Sequence, residues 1–128
     1  MTTLTGILAL YGLVVMITIL VQVLAAAQKL ELTQLVGNRD SLPTLTGLAG
    51  RMDRAQMNSV IAMALFAPAV LILEMRGDIP TLAVTLAWIF LIARIAYVIV
   101  FALGLPWIRT AVWLVGFAMT FWLYLLAI

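Results

Sequence analysis

Apolar residues run along this chain in four long stretches, about 4–27, 56–73, 80–103 and 106–128, separated by a mixed segment at about 28–55 and by two short turns. Each stretch comes close to the ~20 residues that a helix needs to cross ~30 Å of hydrocarbon at 1.5 Å per residue. The stretches are continuously apolar and do not alternate, so they read as helices, which satisfy their own backbone groups in lipid, and not as strands of a barrel. The pattern therefore predicts an all-α integral membrane protein, a four-transmembrane-helix bundle forming one domain over residues 1–128. Local punctuation fits these limits. Pro80 and Pro106 stand where a helix starts without needing their missing N–H, and Gly77 and Gly104 suit turn positions. Pro68 falls inside the second stretch, where it removes a donor and crowds the carbonyl four residues back, so a kink near Ala64 is expected. In the long first loop, residues 37–43 read as a turn, and residues 44–50 as a segment lying along the interface or folding back.

Composition makes the membrane reading firm. With 66% hydrophobic and only 9% charged residues, and a mean hydropathy of +1.25, too little polar surface remains to solvate a globular domain. The first stretch ends in Ala25-Ala26-Ala27, which resembles a leader cleavage site, but residues 1–5 carry no Lys or Arg and the run exceeds a leader's core, so a retained helix is expected. Cysteine and histidine are both missing. The chain therefore has no disulfide, no thiolate nucleophile, no zinc or haem ligand set and no imidazole base. Its net charge of +2 gives no support to nucleic-acid binding.

Charge also orients the bundle. Lys29, Arg39, Arg51, Arg54 and Arg109 border the first and third loops, whereas Arg76 alone sits on the second. The positive-inside rule then places the first and third loops in the cytoplasm and both termini outside.

This asymmetry gathers the candidate chemistry at one end. Arg51, Arg54, Asn58 and Ile61 follow spacings of three, four and three, so they share one face of the second helix. Arg94, Tyr97 and Phe101 do the same near the end of the third, and Arg109 opens the fourth at the same depth. Arg94 weighs most, because a charge inside a span costs several kcal/mol unless it is paired or reaches a wet cavity. No carboxylate lies within a span, which leaves a loop acid such as Asp53, backbone carbonyls or an anionic ligand as its partner. Simpler readings stand beside this one: Arg51, Arg54 and Arg109 as anchors that snorkel to lipid phosphates, Asn58 as interhelical glue, and Tyr97 and Trp107 as part of an aromatic belt.

At these residues the chain resembles the MAPEG family, the membrane-associated proteins of eicosanoid and glutathione metabolism. Arg54-Ala55-Gln56-Met57-Asn58 is similar to the family's RAxxN signature, Ala93-Arg94-Ile95-Ala96-Tyr97 to its ARxxY element, and Arg109 falls where a fourth-helix arginine is expected. Gly37-Asn38-Arg39-Asp40 together with residues 45–51 resembles the bacterial branch, implying a bacterial inner membrane. The resemblance covers about residues 22–113. It implies a homotrimer with glutathione held between subunits and open to the cytoplasm, contacted by Arg54, Asn58, Arg94 and Tyr97, with Arg51 beside them as a further ligand-binding candidate. Arg109 would be the catalytic residue, stabilising the thiolate that attacks a hydrophobic electrophile. The family pattern continues to a glutamate that accepts the glutathione amine, and here that place holds Ile61. Phe101 likewise stands where several relatives carry tyrosine.

Two functional readings follow: a glutathione-dependent transferase or peroxidase, and a non-catalytic MAPEG-like protein that binds membrane lipids or serves as an accessory subunit to a partner. A small multidrug transporter is a third class, disfavoured because Glu31, Asp40, Asp53, Glu74 and Asp78 all lie at or beyond the span ends.

Overall fold

The computed structural model describes residues 3–28 and 46–128, in which the chain forms four α-helices: α1 (Thr3–Ala27), α2 (Gly47–Arg76), α3 (Thr81–Leu103) and α4 (Pro106–Ala127). All four are long and apolar enough to cross a membrane. Helix α3 packs most extensively on α4, and α1 on α2. Lys29, Arg39 and the turn expected at 37–43 lie outside the described residues.

Each helix forms because one stripe of it finds protein while the rest meets lipid. On α1 the buried positions are Leu4, Ile7, Tyr11, Val15, Thr18, Gln22 and Ala26, a spacing of three and four residues that keeps them on one face. Tyr11, Phe66 and Phe90 meet at the centre: the two Phe rings stack 3.9 Å apart, and Tyr11 sits edge-on to each. This aromatic trio joins α1, α2 and α3.

The ends of α2 and the turns beyond it set the register. Helix α2 begins at Gly47, so residues 47–55, which hydropathy assigns to the loop, are helical. Their charges lower the local hydropathy without breaking the helical period. Arg51 donates from Nε to the Ala102 carbonyl at 3.0 Å, and Arg76 donates from Nη1 to the Leu126 and Ala127 carbonyls, both at 3.0 Å. One helix thus places a guanidinium on the carbonyl terminus of each of two others, where the helix dipole favours a cation. Gly104 adopts φ 76°, and the Leu105 N–H returns to the Val100 carbonyl, closing α3 in a Schellman-type turn before Pro106 starts α4. Gly77 ends α2 in the same left-handed conformation. Pro68 lies within α2, and the Tyr124 hydroxyl donates to the Leu65 carbonyl at 2.6 Å in the turn that the proline interrupts.

Candidate functional site

The buried stripe of α3 carries Leu86, Phe90, Arg94, Tyr97 and Phe101 inward together, so a guanidinium occupies a position that the period reserves for an apolar side chain. Arg94 is only 2% exposed. Its Nε donates to the Tyr11 hydroxyl at 3.2 Å, and its Nη2 makes a longer 3.4 Å contact with Ser59 Oγ. Its guanidinium carbon lies 4.2 Å from the centre of the Tyr97 ring, within cation–π range. The Tyr11 hydroxyl in turn donates to the Ser59 carbonyl at 3.0 Å. Helices α1, α2 and α3 therefore clasp this cation, and α4 approaches it at Gly116, where a Cβ would sit 3.3 Å from Arg94 Cδ.

These partners engage Nε and Nη2 without neutralising the charge. Among the described residues Arg94 is held by hydroxyls and a ring face, and Asp53, the loop acid considered for it, accepts instead from Gln56 Nε2 at 2.9 Å on its own helix.

Beside Arg94 opens a cavity of about 120 Å³, lined among others by Asn58, Ile61, Trp113, Gly116 and Phe117. The Asn58 side-chain oxygen, Oδ1, is itself closed off from solvent and has no hydrogen-bond partner. The cavity sits at matching depth in its three helices: at 1.5 Å per residue, Asn58, Arg94 and Gly116 lie roughly 14–17 Å from the near ends of α2, α3 and α4.

Nearer that end of the bundle, two guanidiniums approach the Phe101 ring, Arg109 at 4.7 Å and Arg54 at 5.8 Å from its centre. Tyr97, Arg109, Thr110 and Trp113 line a second hollow of about 160 Å³. Trp113 is thus a wall common to both spaces. Arg51 lies apart from both hollows, its Nε engaged on Ala102. Of the six residues singled out from the sequence, Asn58 and Arg94 line the inner cavity, Tyr97 and Arg109 the outer hollow, and Arg54 approaches the same Phe101 ring as Arg109.

Sequence reasoning missed Tyr11, Ser59, Trp113 and Gly116. Tyr11 carried a signal, since it falls on the three-and-four stripe of α1. Ser59 follows Asn58 directly, yet its side chain points to the bundle interior. Nothing in the sequence marks Gly116 as the close approach to Arg94. Among the described residues no cluster of three acidic side chains is placed to hold a metal ion.

Comparison with known proteins gives one finding about the whole chain: the model of the MAPEG family matches residues 1–128. No curated protein and no solved structure matches the chain significantly.

Proposed function

The chain belongs to the MAPEG family, and from that premise we propose that it is a glutathione-dependent transferase or peroxidase acting on hydrophobic electrophiles. The observation that carries this reading is the pair of guanidiniums, Arg54 and Arg109, brought to the Phe101 ring next to the hollow lined by Tyr97. Glutathione carries two carboxylates, and guanidinium forks suit carboxylates. The donor set of Arg54, Arg94, Tyr97 and Asn58 fits that demand, whereas Ile61 offers nothing to an ammonium. When bound, glutathione supplies the sulfur that this cysteine-free chain lacks.

The chain's own contribution is electrostatic. Arg109 is half-buried and packs on Phe101, so its charge is only partly screened by solvent and stabilises an anion in the outer hollow. Arg54 is exposed and reaches a carboxylate at the entrance. The apolar walls of the inner cavity, with Trp113 between the two spaces, receive a hydrophobic partner. Within this proposal the protein acts as a homotrimer in a bacterial inner membrane, its basic end toward the cytoplasm, with the neighbouring subunit completing the site.

The experiment is a comparison of conjugation and peroxidase turnover in wild-type protein, Arg54→Ala and Arg109→Ala, with glutathione and a panel of apolar electrophiles. Arg109→Ala lowers turnover more than glutathione affinity, and Arg54→Ala lowers affinity. Equal activity in all three proteins would sink the catalytic assignment.

One observation favours a second reading. Ile61 lines the inner cavity beside Asn58 and is 56% exposed, so this entrance is apolar where a zwitterionic ligand would want an acid. A non-catalytic protein that holds lipid headgroups, or the carboxylates of a partner membrane subunit, suits that surface. Stoichiometric lipid retained through purification and released by Arg94→Leu would support it.

A further inference from the structure

Tyr11 is fully buried and lines neither hollow, so a ligand in either space does not touch it. It nevertheless begins a run of contacts that ends in the outer one. Its hydroxyl gives its proton to the Ser59 carbonyl at 3.0 Å, which leaves an oxygen lone pair to accept from Arg94 Nε at 3.2 Å. Ser59 Oγ meets Nη2 at 3.4 Å. Nε and Nη2 form one edge of a planar, rigid group, so these two contacts hold the plane of the guanidinium. Its carbon lies 4.2 Å from the centre of the Tyr97 ring, and Tyr97 forms a wall of the outer hollow with Arg109 and Thr110.

Burial makes the first of these contacts matter. Arg94 is 2% and Tyr97 3% exposed, so little water competes for either. The Nε contact is the shorter of the two on its edge. Without the Tyr11 hydroxyl, a buried N–H loses its acceptor, which costs more than the bond itself is worth, and the guanidinium turns to find another. The Tyr97 ring, drawn to the cation, follows it.

We propose that Tyr11 is a positioning residue for Tyr97, acting through Arg94. For its consequence in turnover the proposal rests on the glutathione reading, in which Arg94 and Tyr97 are donors to the tripeptide. The coupling of Tyr11 to Tyr97 does not need that reading.

The test uses the full chain in phosphatidylcholine nanodiscs, with its three tyrosines replaced by 3-fluorotyrosine and read by fluorine NMR. Tyr97→Phe assigns the Tyr97 signal. Tyr124, whose hydroxyl donates to the Leu65 carbonyl, is the internal reference for an intact fold. Tyr11→Phe is expected to shift the Tyr97 signal and to leave that of Tyr124 in place. In an Arg94→Met background the same change has no further effect on Tyr97, because the link between them is gone. In turnover with glutathione and an apolar electrophile, Tyr11→Phe raises the glutathione KM by roughly fivefold, the worth of one hydrogen bond of about 1 kcal/mol, and leaves kcat unchanged. A variant that merely folds less well loses kcat at constant KM. An unmoved Tyr97 signal in Tyr11→Phe, equal movement of Tyr97 and Tyr124, a shift that persists in the Arg94→Met background, or a fall in kcat at constant KM would each overturn the proposal. A wild-type protein that does not turn over glutathione sinks the glutathione reading instead, and the fluorine signals then decide the coupling alone.

Discussion

Arg94 shows how a residue that hydrocarbon should exclude becomes the fixed point of a bundle. Its burial was legible in the sequence, because its register with Tyr97 and Phe101 put it on the inward face and a charge at that depth must face protein. Its partners were not legible, because the stripe that carries Tyr11 inward does not say which side chain it meets, and Ser59 gains its role only when α1 and α3 close around it. The clasp predicts the effect of a single oxygen. Tyr11→Phe keeps the edge contacts with Phe66 and Phe90 but strips Arg94 Nε of its partner, so unfolding in a denaturing-detergent titration is expected to fall by about 1–2 kcal/mol. An unchanged unfolding midpoint would mean that the hydroxyl contributes nothing. Phe101 is the converse case. Its place in the sequence marked only a lost hydroxyl, whereas its ring is what both Arg54 and Arg109 approach.

At the scale of the element, the helices follow from hydropathy and their ends from chemistry that hydropathy does not register. The first turns of α2 hold Arg51, Asp53 and Arg54, which dilute the apolar signal, yet Met52 and Ala55 keep the buried period through them. Arg51 illustrates the limit of the sequence reading, since a cation near a loop reads equally as a lipid anchor or a ligand contact. The structure sets its Nε on the Ala102 carbonyl in the last turn of α3, a position that depends on how the two helices cross. The same corner requires Gly104 at φ 76°. Gly104→Ala forces a side chain into the left-handed region and is expected to cost about 1–2 kcal/mol. Its Cβ would meet Arg51 Cδ at an ordinary 3.6 Å, so the loss is conformational and not steric. Circular dichroism melts of the variant should show a lower transition with unchanged helix content at low temperature. A wild-type transition would remove the argument for the glycine.

On the scale of the whole molecule, four spans place both ends of the chain on one side of the membrane, and the basic residues choose the side. Because the chain has no cysteine, that choice can be read with single introduced thiols. Asp78→Cys in the turn before α3 is expected to react with a membrane-impermeant maleimide in intact cells, and Leu105→Cys in the turn before α4 only after lysis; the reverse pattern would put the basic end outside. The four-helix class was fully legible in the sequence, since it needs only hydropathy and length. The division of the site into an inner cavity and an outer hollow was not, because Trp113 and Gly116, which shape them, come from α4 and bear no motif.

The central claim is that the basic end of this bundle binds glutathione, and calorimetric titration of glutathione into the detergent-purified protein tests it most directly, with Arg54→Ala as the control. Saturable binding at micromolar to low millimolar concentration, weakened or lost in Arg54→Ala, is the predicted result. No binding up to ~10 mM, a limit that corresponds to less than about 3 kcal/mol of association free energy, would contradict it and leave the lipid-binding reading in its place.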